Sequence, residues 1–170
     1  MKIELSGKQA LVTGSTAGIG LAIATGLANA GAQVTVVGRD QAGVDKAVEH
    51  IKQASGRGDA SGIAADAGTA VGCQTVIEAL PEVDILVNNL GVYGGRPFFE
   101  IDDAAWEEIF QINVMSGVRL ARHYAKGMQA RGWGRIQFIS SESKWCITVS
   151  ARLRCRVFPA ASPKYWPAAV

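Results

Sequence analysis

The stretch "QALVTGSTAGIGLAIATGLANAG", residues 9–31, changes its pattern in the middle. Its first six residues form a short, mostly apolar run that is typical of a buried strand, and its second half has the spacing of a helix. Between the two, Gly14, Gly18 and Gly20 form the pattern Gly-x-x-x-Gly-x-Gly. Glycines at such a turn let an anionic pyrophosphate approach the backbone, and the start of the helix offers unpaired N–H groups. The stretch therefore predicts a dinucleotide-binding βαβ unit; glycines that only make a turn are the alternative.

Apolar runs alternate with longer helical patterns along most of the chain. The strand candidates are residues 9–14, 32–38, 62–66, 83–89 and 135–140, and the helix candidates are 18–30, 41–54, 68–80 and 103–131. The strand candidates are nearly continuously apolar, as strands covered on both faces are. Strand–helix alternation is typical of right-handed βαβ crossovers. It therefore predicts an α/β fold with a doubly wound parallel sheet of about five strands.

Composition and charge change near residue 144. The chain has 170 residues, of which 48% are hydrophobic and 20 are Gly, as expected for a single α/β domain. Residues 1–143 carry 12 Lys/Arg and 15 Asp/Glu, a net charge of −3, whereas residues 144–170 carry 5 basic and no acidic residues, a net charge of +5. We interpret residues 1–143 as a dinucleotide-binding domain and residues 144–170 as an aberrant basic tail that does not fold regularly.

The sequence also predicts a location. Cys73, Cys146 and Cys155 are odd in number and lack the spacing of metal ligands, so neither a disulfide framework nor a metal site is favoured. No apolar run reaches the roughly 18 residues that span a bilayer, and the first strand candidate leaves no room for a signal peptide. We expect a cytoplasmic protein that binds no membrane. Nucleic-acid binding by the basic tail is a weaker alternative, because its charges are interleaved with Cys, Trp and Pro.

The end of the second strand candidate predicts which dinucleotide is bound. The run "VVGRD" places Gly38, Arg39 and Asp40 about twenty residues beyond the glycine turn. An acidic residue there binds the hydroxyls of the adenosine ribose, whereas an Arg pairs with a 2′-phosphate. Arg39 follows the strand-ending Gly38 directly, so NADP(H) is favoured over NAD(H). Alternatively, Asp40 only caps the next helix, and both interpretations can hold together.

Several ordered motifs resemble those of the short-chain dehydrogenase/reductase family between about residues 5 and 143. They are "TGSTAGIG" at 13–20, "DA" at 66–67, "NNLG" at 88–91 with Leu90 where the family has Ala, "FQINVMSGVRLAR" at 110–122 and "GRIQFISS" at 134–141. The resemblance implies a Rossmann-like fold. With Arg39, the cofactor-binding residues that it implies are Gly14, Ser15, Thr16, Gly18, Ile19, Gly20, Asp66, Ala67, Asn88 and Gly91.

The resemblance also implies an oxidoreductase that interconverts an alcohol and a carbonyl. From the family's catalytic set it retains Asn113 and Ser141, although Asn113 could be a solvated helix residue and Ser141 a turn residue. The implied partner is a small-molecule alcohol or ketone. Family oligomers are built on the helix at 103–131 and on a later helix that this sequence does not match, so we expect a homo-oligomer to be compromised here.

The family's proton shuttle, a Tyr with a Lys four residues later, has no counterpart after Ser141. A free Tyr has a pKa of about 10, and a Lys one helical turn away lowers it. Tyr165 is the only tyrosine after Ser141; Ala169 stands four residues on, and Pro163 and Pro167 flank it. We therefore expect an incomplete sheet without the catalytic helix and final strands, and a catalytically impaired or dead chain. The alternative function is a non-catalytic dinucleotide-binding remnant or a partner-binding fragment.

A shifted reading frame would explain why the pattern is lost after Ser143. If each new codon takes the last base of one codon and the first two of the next, Trp145–Cys146 gives Val and Ile147–Thr148 permits Tyr. Four codons later, Ala151–Arg152 permits Lys. Our hypothesis is a deletion of several codons plus one extra base just after Ser143. A genuine lineage-specific terminus is the alternative.

The coding DNA across codons 135–170 and beyond tests the frame-shift hypothesis. We expect the shifted frame to encode Tyr-x-x-x-Lys and then further strand and helix patterns, because selection acted on that frame. The hypothesis is contradicted if the bases at Ile147–Thr148 and Ala151–Arg152 do not encode Tyr and Lys when they are regrouped.

Overall fold

The computed structural model describes residues 3–56, 59–92 and 98–140. Its strands are β1 (Gln9–Thr13), β2 (Gln33–Gly38), β3 (Ala60–Ala64), β4 (Ile85–Asn88) and β5 (Arg135–Phe138). Its helices are α1 (Gly18–Asn29), α2 (Gln41–Ser55), α3 (Ala70–Ala79), α4 (Asp103–Phe110) and α5 (Ser116–Ala130). A 3-10 turn (Phe98–Glu100) precedes α4, and a π-helical turn (Gln111–Met115) joins α4 to α5.

The strands form one parallel sheet in the order β3-β2-β1-β4-β5. At its centre, Val12 of β1 lies between Val36 of β2 and Val87 of β4. The chain moves outward from β1 to β3 and then returns to β4 on the other side of β1, so the strand order reverses there. Doubly wound sheets bind ligands at the carboxyl ends of the strands beside this reversal. The predicted Rossmann-like fold is confirmed.

Helices cover both faces of this sheet. α1 and α2 pack on one face around Val12 and Val36, and α3 and α5 pack on the other face around Leu11, Leu86 and Leu120. Leu11 and Val12 belong to different layers because successive side chains of a strand point to opposite faces. The two apolar layers bury the sheet between them and hold its carboxyl edge in a fixed shape.

The third strand differs from its prediction in both position and burial. It covers Ala60–Ala64 rather than residues 62–66, and Ser61, Gly62 and Ala64 are exposed. It pairs only with β2, at the edge of the sheet, where fewer neighbouring elements cover it. The expectation of strands covered on both faces was therefore wrong for β3.

The helix predicted at 103–131 consists of α4, the π-helical turn and α5 without a break. At the end of the turn, the Ser116 N–H donates to the carbonyl of Gln111, five residues back instead of four. The periodic pattern predicted the length of this helix but not its wider turn, because no residue type or spacing in the sequence marks a π turn.

The predictions for Ser141 and for the basic tail at 144–170 fall on residues 141–170, which lie outside the described residues. Within residues 3–56, 59–92 and 98–140, the helices are too short or too polar for any of them to cross a membrane. The same residues contain no group of three His, Cys, Asp or Glu side chains that could hold a metal ion.

Candidate cofactor site

The glycine turn after β1 adopts the backbone conformation that its residues favour. Gly14 and Gly18 have φ angles of 59° and 56°, in the left-handed region. Gly18 begins α1, and the residue before it, Ala17, makes no side-chain hydrogen bond to the first turn. The first N–H groups of α1 therefore have no side-chain cap, which leaves them for an anion. Ile19, in this first turn, exposes 66% of its surface.

Gly20 lets α1 approach the glycine turn closely. A Cβ atom there would lie 2.4 Å from the Gly14 carbonyl oxygen and 2.5 Å from Nδ2 of Asn89. Gly20 is itself buried. It therefore contributes to a ligand site by bringing the start of α1 against the sheet, since its own atoms are covered.

Asn89 ties the end of β4 to the glycine turn. Its side-chain amide donates to the carbonyl oxygens of Thr13 and Gly14, at 3.1 and 2.9 Å. The Thr13 hydroxyl in turn accepts from the backbone N–H groups of Asn89 and Leu90, at 3.1 and 3.0 Å. Thr13 is not among the predicted site residues, whereas Asn89 belongs to the motif at 88–91 on which the cofactor prediction rests. Alternation places the side chains of Asn88 and Asn89 on opposite faces of the sheet, but it does not tell which of the two meets β1.

Ser15 and Thr16 hold the glycine turn against β2. The fully buried Ser15 hydroxyl donates to the Val12 carbonyl at 2.6 Å and accepts from the Val37 N–H at 3.0 Å. A Cβ atom at Gly38 would lie 2.3 Å from the Thr16 side chain, so Thr16 rests on the end of β2. The Ser15 N–H also donates to the Val37 carbonyl, at 3.1 Å, so both the hydroxyl and the N–H of this buried residue are used within the fold.

Arg39 and Asp40 have separate environments at the end of β2. The Asp40 carboxylate accepts from the Gly43 N–H at 2.7 Å and caps α2, so the predicted helix cap is confirmed. Arg39 is exposed, and no carboxylate in the described parts of the chain pairs with it. Arg39 directly follows the Gly38–Thr16 contact in the chain, and its guanidinium has no counterion among the described residues.

Asp66 closes the loop that follows β3. Its carboxylate accepts from the Gly68 N–H at 3.1 Å, and its carbonyl accepts from the Thr69 N–H at 3.0 Å. Asp66 remains exposed at the carboxyl edge of the sheet, whereas Ala67 is buried and donates its N–H to Ala65. The two predicted residues therefore lie one strand beyond Arg39 on the same edge, with different degrees of access.

Asn88 lies on the face of the sheet opposite α1. Leu86, two residues earlier, packs in the α3–α5 layer, and a Cβ at Gly117 of α5 would lie 3.2 Å from the Asn88 side chain. Asn88 is only 7% exposed, and both polar atoms of its amide lack a partner among the described residues. The structure thus does not bring its side chain to the glycine turn.

Asn113 holds the loop that leaves β4. Its Oδ1 accepts from the Val92 N–H at 2.8 Å, and its Nδ2 donates to the Val92 carbonyl at 3.0 Å. A Cβ atom at Gly91 would lie 3.4 Å from Asn113 Oδ1. The structure therefore brings Gly91 and Asn113 together, on the side of β1 opposite Arg39.

Cys73 is a core residue of this region and not a reactive one. Its thiol donates to the Ala67 carbonyl at 3.1 Å. Burial raises the pKa of the Cys73 thiol, with the Arg119 guanidinium opposing this effect and Asp66 adding to it. The thiol therefore stays protonated near neutral pH and serves packing.

The described residues fit a dinucleotide at the carboxyl edge. A Cβ atom would fill the close approach at Gly20, the first turn of α1 has no side-chain cap, and Arg39 has no internal counterion. A family model of short chain dehydrogenases matches residues 8–145. The chain belongs to the short-chain dehydrogenase family.

Two kinds of relative illustrate how much of this short-chain dehydrogenase is matched. YvaG of Bacillus subtilis, an uncharacterized oxidoreductase, is 46% identical over 143 residues, which cover 84% of this chain and 54% of that protein. The structure of L-sorbose reductase from Gluconobacter frateurii, solved with NADPH and L-sorbose, is 38% identical in sequence and has a TM-score of 0.78. The match covers 84% of this chain and 55% of that one. The Pseudomonas aeruginosa RhlG/NADP complex is 32% identical with a TM-score of 0.73, over 82% of this chain and 57% of that one. The chain thus spans about half the length of the relatives that it matches.

Replacing two glycines of α1 by alanine tests the close approach at Gly20. Gly20→Ala is expected to lower the free energy of unfolding by about 1–3 kcal/mol, because the new methyl overlaps backbone of the glycine turn. The matched variant Gly26→Ala has no atom within 4 Å of its Cβ and is expected to raise the same quantity by about 0.5–1 kcal/mol. Urea unfolding of both variants measures the two changes; equal effects would contradict the packing that we describe.

Proposed function

We propose that this short-chain dehydrogenase derives from an oxidoreductase that interconverts an alcohol and a carbonyl with NADP(H). We further propose that the chain itself binds the dinucleotide and does not turn over substrate. The observation that carries the proposal is the uncapped first turn of α1, with Gly14 and Gly18 in left-handed conformations and the unpaired Arg39 at the end of the next strand.

Each part of the dinucleotide has candidate residues in this arrangement. The N–H groups at the start of α1 would bind the pyrophosphate, because they are unpaired donors at the positive end of a helix dipole. Arg39 would bind the 2′-phosphate, and the exposed Asp66 would meet the adenine. Gly91 would border the nicotinamide end, since it lies on the other side of β1. The full proposed set also contains Ser15, Thr16, Ile19, Gly20, Ala67 and Asn88.

The environments of Arg39 and Asp40 favour NADP(H) over NAD(H). The Asp40 carboxylate already accepts from Gly43 and caps α2, so it is less available for the ribose hydroxyls. Arg39 is exposed without a counterion, which suits a 2′-phosphate. The NADPH in the L-sorbose reductase structure and the NADP in the RhlG structure support the same preference.

The chemistry that the dinucleotide supplies when bound is hydride transfer. This chain would position Gly91 and Val92 through Asn113, and Ser141 would hold the substrate oxygen. Tyr124 cannot replace the missing proton shuttle: it is buried, its hydroxyl donates to the Leu80 carbonyl, and burial raises its pKa. Loss of a general acid alone lowers a rate by roughly 10²–10⁴, so we propose negligible turnover.

The proposal also covers the substrate class, the cellular location and the assembly of the protein. Its lineage would act on a small-molecule alcohol or ketone in the cytoplasm, without binding nucleic acid or membrane. Homo-oligomer formation would be compromised. A partner-binding fragment without affinity for dinucleotides is the alternative.

Replacement of Arg39 tests the proposed function. Arg39→Ala is expected to weaken NADPH binding about tenfold, because a charge-assisted contact with the 2′-phosphate is lost, and to leave NADH binding unchanged. Arg122→Ala, which removes the same charge from an exposed position of α5, serves as the matched control and should bind NADPH as the unaltered chain does. Isothermal titration calorimetry of the full 170-residue chain measures these affinities.

Two results would contradict the proposal. If the unaltered chain binds neither NADPH nor NADH, the site is not a dinucleotide site. If the purified chain rapidly reduces carbonyl compounds with NADPH, it is an active enzyme and the proposed loss of turnover is wrong.

A further inference from the structure

The π-helical turn at Gln111–Met115 changes which donors its carbonyl groups receive. In a regular helix the Ser116 N–H would donate to Ile112, four residues back. Here it donates to Gln111 instead. The Ser116 hydroxyl donates to the Ile112 carbonyl, at 2.6 Å. The Ser116 hydroxyl thus donates to the carbonyl that the Ser116 N–H would bind in a regular helix.

The hydroxyls of Thr25 and Thr75 make the same type of bond without this consequence. Thr25 donates to Leu21 within α1, at 2.9 Å, and Thr75 donates to Val71 within α3, at 3.1 Å. Both lie inside regular helices, where the backbone ladder continues past them. Their hydroxyl bonds add to that ladder, whereas the bond of Ser116 substitutes for a missing part of it.

Packing fixes Ser116 in place. It is only 4% exposed, and its carbonyl oxygen lies 3.8 Å from the Cys73 sulfur of α3. The next residue, Gly117, contacts the sheet closely, since a Cβ there would lie 2.6 Å from Phe138 of β5. The end of the π turn is therefore anchored to α3 and to the sheet, and it cannot shift freely along the helix.

The other end of this arrangement is the Asn113 amide, which lies within the π turn. Both of its polar atoms pair with the backbone of Val92. A helix that closed to regular geometry would rotate Asn113 relative to the anchored Ser116, because an inserted residue changes the phase by about 100°. The pairing with Val92 therefore depends on the turn staying wide.

We propose that Ser116 is a positioning residue: its hydroxyl stabilises the wide turn, which aims Asn113 at Val92 and so fixes the loop that leaves β4. That this loop borders the nicotinamide end of a bound dinucleotide rests on the proposed function. The clamp between Asn113 and Val92 exists whether or not a dinucleotide binds.

Amide hydrogen exchange in the full chain tests the clamp directly, because the Val92 N–H donates to Asn113. Ser116→Ala is expected to speed exchange at Val92 at least about fivefold relative to Leu86 in the sheet, as loss of roughly one hydrogen bond would. Thr75→Ala removes the matched bond in α3 and should leave the ratio of Val92 to Leu86 unchanged. Ser116→Thr keeps the hydroxyl and should preserve the slow exchange at Val92.

Equal acceleration at Val92 and Leu86 in Ser116→Ala would show an ordinary loss of stability and would overturn the proposal. So would unchanged exchange at Val92. If Ser116→Thr loses protection at Val92 to the same extent as Ser116→Ala, the hydroxyl is not the group responsible, and the proposal is again wrong.

A binding measurement tests whether Ser116 also affects the proposed cofactor site. Ser116→Ala is expected to weaken NADPH severalfold and to leave 2′,5′-ADP unchanged, since the latter lacks the nicotinamide end. Equal weakening of both ligands would overturn the positioning role. If the unaltered chain binds neither ligand, the proposed function fails, while the exchange ratio at Val92 still decides the role of Ser116.

Discussion

The carbonyl oxygens of Thr13 and Gly14 both accept from the side chain of Asn89, across the gap between β1 and β4. The Thr13 hydroxyl adds to this junction between β1 and β4, because it accepts from the backbone N–H groups of Asn89 and Leu90. This junction lies at the point where the strand order reverses, so it determines how far the carboxyl ends of the two strands stand apart. The rest of the candidate site depends on it, because Gly20 brings α1 against the same atoms.

Around that junction, most polar side chains form hydrogen bonds with backbone groups of neighbouring elements. Ser15 links β1 to β2, Asp40 caps α2, and Asn113 pairs with Val92. The groups left for a ligand are accordingly the backbone N–H donors at the start of α1 and Arg39, which has no ion pair among the described residues. Such a site suits an extended anion with a charged end, which is what a phosphorylated dinucleotide presents.

The fold was predictable from the sequence because its signals are local and periodic. The glycine turn, the apolar strands and the amphipathic helices each follow from residue spacing, and the parallel, doubly wound sheet follows from their alternation. The edge position of β3 was less predictable, since the burial of a strand depends on which neighbours the fold gives it. The π turn was not predictable at all, because no residue type or spacing in the sequence marks it, and the contacts of Ser116 and Gly117 with α3 and β5 appear only in the folded chain.

The location of the site was predictable from the sequence, but the contacts made by each of its residues were not. The motif at 88–91 contains both Asn88 and Asn89, and in the structure only the Asn89 side chain contacts the glycine turn. A strand end offers two adjacent side chains that point in opposite directions, and only the tertiary structure shows which of the two meets β1. The buried amide of Asn88 has no hydrogen-bond partner among the described residues. Buried polar groups in folded proteins normally have such a partner.

The most direct test of a dinucleotide site at the carboxyl edge is a titration of the ¹⁵N-labelled, 170-residue chain with NADPH, followed by amide chemical shifts. The account predicts that Gly18, Ile19 and Arg39 shift together over one concentration range, while Met128 in the far part of α5 does not. Shifts absent from the first turn of α1, or confined to other elements, would contradict it.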